Sequence, residues 1–162
     1  MGCDIHMHVE YVKRGEDPAK QWRCGDLFTI NKIPISFCDD RNYGLFAVLA
    51  NVRNYDYVEY IDDPRGIPEN ASDYVKEAFD RWKFDAHSAS YFTLKELIDY
   101  DEENEPRYDS IWSDARILED LINNLKRRAN ELDVIWDFMW DSKTDEGYKL
   151  SDRIRIVFWF DN

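Results

Sequence analysis

At 162 residues the chain has the length of one ordinary domain, and 44% hydrophobic residues with 15% aromatics suffice for a packed core. Its 34 acidic residues outweigh 21 basic ones, giving a net charge of −13. That excludes the broad basic face a long nucleic acid requires, while a small anion held locally by arginines or a metal, or a basic partner surface, stays compatible.

No apolar run is long enough to span a bilayer, and the N-terminal run is too polar for a signal peptide. The three cysteines, Cys3, Cys24 and Cys38, lack CxxC spacing and read as reduced thiols of a cytoplasmic protein. His6 stands where a myristoylation motif needs Ser or Thr, so the Met-Gly-Cys opening is not read as a lipid anchor.

Residues 2–12 alternate. Cys3, Ile5, Met7, Val9 and Tyr11 share one side, and Asp4, His6, His8 and Glu10 the other. Period two predicts a strand with one face in the core. A turn follows at Arg14–Pro18, and residues 20–30 return as a second strand broken at Gly25-Asp26. Residues 31–43 read as irregular and 44–51 as a short buried helix. The stretch from Arg53 to Pro68 reads as a long tyrosine-rich loop of the kind that often carries function.

A helix is expected over 69–82, and another from Thr93, with Glu96 completing a capping box. Between them Asp85-Ala86-His87-Ser88 reads as a loop, and Asp99 to Glu105 as an exposed acidic loop. Ile111, Ala115, Leu118, Ile122, Leu125, Ala129 and Leu132 form an apolar seam predicting a helix over about 111–132, read as a core helix with a dimer seam as the alternative. Residues 133–140 could be strand or helical extension. Residues 153–160 read as a strand, central in the sheet because 156–160 are apolar on both faces. The expected architecture is one α+β domain with an antiparallel or mixed sheet holding both terminal strands and helices packed on one face. No internal repeat or linker divides it.

The polar side of the first strand carries the strongest chemical signal. Same-face residues on a strand lie roughly 6.5–7 Å apart, so His6 and His8 could converge on one ion at about 2.0–2.1 Å per zinc–nitrogen bond. Imidazole with carboxylate suits Zn, Mn or Fe, with Mg a further candidate. Asp4 and Glu10 lie roughly 20 Å apart, so one would complete the site and the other stand behind it or serve a second metal. The rival reading is a solvated sheet face with Asp4 and Glu10 as ion-pair partners of the histidines. Asp85 or His87 is the candidate further ligand or general acid/base.

Arg53 and Arg65, with Asn54 and Tyr55, are the candidate substrate-binding residues. Arg41, Tyr43, Tyr57 and Tyr60 fill out a nucleotide-sized pocket, set against ordinary surface pairing of the arginines. No P-loop, GxGxxG or GxSxG occurs. No pattern for nucleophilic catalysis surrounds the cysteines, and alternation places Cys3 in the core.

The opening Met1-Gly2-Cys3-Asp4-Ile5-His6-Met7-His8-Val9-Glu10 resembles a family of small bacteriophage and prophage proteins. The likeness extends through Arg41-Asn42-Tyr43, Val52-Arg53-Asn54, Pro64-Arg65-Gly66, Asp85-Ala86-His87-Ser88 and the closing Val157 to Asn162. It implies a host-cell cytoplasmic setting and no mechanism. Asp4, His6 and His8 also match the DxHxH-type strand of the PHP and amidohydrolase metal enzymes. The shortage of further histidines and the length of the chain do not suit their barrel, so that likeness bears on the chemistry of the strand alone.

The leading expectation is a metal-dependent phosphoesterase-like hydrolase acting on a small nucleotide-like substrate. The alternatives are a nucleotide-sequestering module, and an acidic protein that occupies a host factor.

Overall fold

The computed structural model describes residues 2–28, 34–35, 37, 41–108, 115–135 and 149–162. Strand β1 spans Asp4–Tyr11, β2 Arg23–Cys24, β3 Leu27–Phe28 and β4 Pro34–Ile35. Helix α1 spans Tyr43–Ala50 and α2 Asp73–Trp82. Strand β5 (His87–Thr93), helix α3 (Leu94–Tyr108), helix α4 (Ala115–Glu131) and strand β6 (Ile154–Asp161) follow. The main sheet is antiparallel with order β2-β1-β6-β5, and β3 and β4 form a separate hairpin pair. This is the expected α+β architecture, with both terminal strands in the sheet. Cys38 and residues 111–114 and 136–140 lie outside the described residues. Among the described residues no helix is long and apolar enough to cross a membrane.

The terminal strands pair along their full length, from Asp4 opposite Asp161 to Tyr11 opposite Ile154. β6 is central because both of its faces are apolar. Ile154, Ile156, Phe158 and Phe160 join Cys3, Ile5, Met7 and Val9 in the larger core, while Val157 and Trp159 face the other way. Side chains alternate across a strand, so each face of β6 needs its own cover.

Three helices, α1, α3 and α4, supply it on the larger side, through residues such as Phe46, Leu97 and Leu125. Their burial marks α4 as a core helix. The expectation that all helices share one face is corrected by α2. It closes over Val157 and Trp159 with Ala71, Val75 and Ala78. Ser72 caps it, accepting from the Val75 N–H at 3.4 Å.

Two further expectations change. Residues 87–93 form edge strand β5, with a register irregularity between His87 and Ser90; Ser88 sits in the left-handed region there. The acidic run Asp99 to Glu105 continues α3. The capping box forms as expected, with Glu96 accepting from the Thr93 N–H at 2.8 Å and Thr93 Oγ1 accepting from the Glu96 N–H at 3.2 Å. The Lys95–Asp99 pair then supports the first turns.

Candidate functional site

The four polar residues of β1 share a face, and each has its own partner there. Glu10, fully buried, accepts two hydrogen bonds from the Arg155 guanidinium at 2.7 and 2.8 Å, and one from the Ser72 N–H at 2.6 Å. His8 Nδ1 lies 2.7 Å from Asp26 Oδ2, and Asp26 Oδ1 accepts from the Val9 N–H at 2.7 Å. His6 Nε2 lies 3.2 Å from Asp161 Oδ2. Asp4 is forked by Arg41, whose Nη2 reaches Oδ2 at 3.0 Å. Arg41 also lies across Gly2, where a Cβ would meet its Nη1 at 2.5 Å, so a larger side chain would displace the guanidinium.

These pairings bear on the metal expectation. Asp4 and Glu10, the proposed third ligands, are engaged by arginines. Each imidazole packs against Trp159, with ring centroids 5.7 Å apart for His6 and 5.0 Å for His8. Trp82 covers His6 at 4.2 Å. Among the described residues no group of three or more His, Cys, Asp and Glu side chains is arranged to hold a metal ion. A carboxylate behind an imidazole is the usual support of a metal-bound histidine, and His6 and His8 both have one.

The surroundings of His8 carry a pH signature. Burial, with Asp26 adding to it, pushes the Cys24 thiol up to about 12. Burial, again with Asp26 second, pushes the Tyr74 hydroxyl up to about 12. Both groups stay neutral in the fold at pH values where the unfolded chain ionises, from ordinary values of 9.0 and 10.0. Their stabilisation is complete below pH 9 and is lost as pH climbs toward 12. The urea midpoint is expected to fall across that window, and to fall less in a Cys24→Ser, Tyr74→Phe double variant; far-UV circular dichroism at pH 8, 9.5 and 10.5 checks this.

Of the predicted substrate-binding residues, Arg53, Asn54 and Tyr55 line one cleft and Arg65 lies apart from it. Arg65 is held by Asp62 at 3.0 Å and Glu96 at 2.7 Å, and lies 4.6 Å over the Phe92 ring. Asp85 is exposed in the turn after α2. Asn54 braces its own loop, donating to the Asn51 side chain and the Val58 carbonyl at 2.8 Å each and accepting from the Val58 N–H at 2.9 Å.

Arg53 is different. It adopts a left-handed backbone conformation, φ 54°, uncommon outside glycine. Its guanidinium donates to the Tyr55 hydroxyl at 3.3 Å, and its charge acts on the Cys3 thiol, opposing the upward push of burial there. No carboxylate pairs with it among the described residues. With Tyr43, Tyr55, Asp56 and Val58 it lines a cleft of about 50 Å³. Sites for drug-sized ligands run to roughly 300–1,000 Å³, so this cleft takes a head group and not a whole nucleotide.

These groups gather at one end of the sheet, where β1 begins, β6 ends and β5 begins. Asp4, His6 and Asp161 occupy one face. Cys3 and His87 occupy the other, the thiol sulfur 4.0 Å from His87 Nε2. His87 is a half-buried strand residue stacked on Phe160 at 5.9 Å, across the sheet from His6 and His8. The Cys3–His87 approach has no local sequence signal, because 84 residues separate the two and neither stands in a motif.

No protein-family model, curated protein or solved structure matches the chain, so the geometry of these residues carries the functional reading.

Proposed function

We propose that the end of the sheet binds a small anionic ligand, with Arg53 as its anchor. The observation that carries this is a guanidinium without a carboxylate partner among the described residues, lining a cleft, in a chain of net charge −13. Arg41, Arg65 and Arg155, by contrast, are each neutralised by a carboxylate. An arginine fork suits a phosphate or carboxylate. The cleft accommodates that head group, and the rest of the ligand would run over Tyr55 and Tyr57, which are 66% and 92% exposed. Flat aromatic faces there suit a base or sugar ring.

Calorimetric titration with inorganic phosphate, a nucleoside monophosphate and a simple carboxylate tests the proposal. Binding is expected to weaken at least about tenfold in Arg53→Gln and to fall with salt. Equal affinity in wild type and Arg53→Gln would rule the anchor out. The same titration repeated with Mn, Mg or Zn, followed by mass spectrometry of the ligand, separates capture from hydrolysis.

A further inference from the structure

We propose that Cys3 and His87 form a nucleophile–base pair that acts on electrophilic carbon in a small ligand whose anionic group is held by Arg53. The identity of the ligand rests on the anion-site reading, whereas the pair itself does not.

A cysteine nucleophile needs a base within reach, a third group that orients the base, and a neighbour that favours thiolate. His87 Nε2 stands 4.0 Å from the Cys3 sulfur, and His87 Nδ1 stands 3.1 Å from Ser88 Oγ. Burial leaves the Cys3 thiol above its ordinary value at rest, and the positive charge of Arg53 opposes that push. Two residues beside this pair, Arg53 at φ 54° and Ser88, next to His87 in β5, at φ 50°, both hold left-handed backbones without being glycine. Such conformations cluster where the surrounding structure enforces a functional geometry. Ser88 lies within the β5 register irregularity between His87 and Ser90.

The balanced step is simple. The thiol proton passes to His87 Nε2, the sulfur attacks a carbonyl carbon of an ester, and the C–O bond breaks. The leaving alcohol takes the proton back from His87, and water, deprotonated by His87, then hydrolyses the thioester and restores the thiol. Cys3 is fully buried at rest, so its covering groups must move for a ligand to reach the sulfur.

Alkylation with iodoacetate and with iodoacetamide tests both parts. Either reagent forms an S–C bond, releases iodide and leaves the thiol proton on His87. Peptide mapping by mass spectrometry distinguishes Cys3 from Cys24 and Cys38. In the native chain, Cys3 is expected to label and to favour the anionic reagent more than it does in the urea-unfolded chain. His87→Gln should slow labelling by both reagents about tenfold or more. Arg53→Gln should abolish the preference for iodoacetate while leaving iodoacetamide reactive. Cys3 that labels only after unfolding overturns the pair, however the variants fold, and so does a His87→Gln rate equal to wild type. Normal labelling by both reagents without anionic preference overturns only the part Arg53 plays.

Discussion

Glu10→Ala is expected to cost roughly 3–5 kcal/mol of folding stability, the usual result of stripping one partner from a buried ion pair. Glu10 is fully buried and Arg155 is 3% exposed, so solvent cannot take over the pairing. Arg155 is further committed to Asn70 at 3.1 Å and lies 3.9 Å over the Trp22 ring, which prevents the guanidinium from swinging out to water. Burial pulls Arg155 below its ordinary range and Glu10 holds it up; without the carboxylate, an uncompensated charge remains inside.

The loss also reaches α2. Glu10 Oε1 accepts the Ser72 N–H, and Ser72 caps the helix. One carboxylate thus ties β1, β6 and the start of α2 together. Urea unfolding followed by tryptophan fluorescence measures the change. A Glu10→Met, Arg155→Met double variant should recover most of the loss, because two apolar side chains leave no charge behind. A Glu10→Ala variant within about 1 kcal/mol of wild type would refute the assignment.

That role explains what the sequence shows of the site and what it conceals. The alternation Asp4, His6, His8, Glu10 is legible because a strand has period two, and the structure keeps all four on one face. Periodicity reports direction and not partners. Asp161 lies 155 residues from His6, Asp26 18 from His8 and Arg155 145 from Glu10, so which carboxylate meets which partner is settled only by the tertiary fold.

The terminal strand was readable as central because Ile156 to Phe160 are apolar on both faces. β5 was not, since Ala86-His87-Ser88-Ala89-Ser90 offers small polar residues without alternation, and the Ser88 irregularity erases the period. The acidic end of α3 looked like a loop by charge. Its helix formers are sustained instead by local contacts, such as Asn104 donating to the Tyr100 carbonyl at 2.8 Å. The Cys3–His87 approach needs both terminal pairing and the β5 irregularity, neither of which a local pattern encodes.

Asp26→Ala is expected to cost about 2–6 kcal/mol, on the reasoning that two part-buried donors lose their acceptor at about 1–3 kcal/mol each. The Asp26 side chain is 1% exposed. One oxygen satisfies the Val9 N–H and the other the His8 imidazole, both at 2.7 Å. Beside it the Gly25 N–H donates to the Val9 carbonyl at 2.7 Å. Gly25 fits there because a Cβ would meet Leu132 Cδ1 at 2.9 Å. Gly25-Asp26 therefore completes the hydrogen bonding of β1 where β2 stops. Asp26→Asn keeps one carbonyl acceptor and should lose less than the alanine variant.

The same pair of variants addresses the metal expectation. If His8 acts through hydrogen bonds alone, the cost of Asp26→Ala is the same with zinc or with a chelator present. If a cation rests on the imidazole, zinc stabilises the wild-type chain by mass action and Asp26→Ala forfeits part of that gain. Urea midpoints for wild type and variant, each with zinc and with chelator, separate the two outcomes. An Asp26→Ala chain as stable as wild type in both conditions would show that neither account of Asp26 holds.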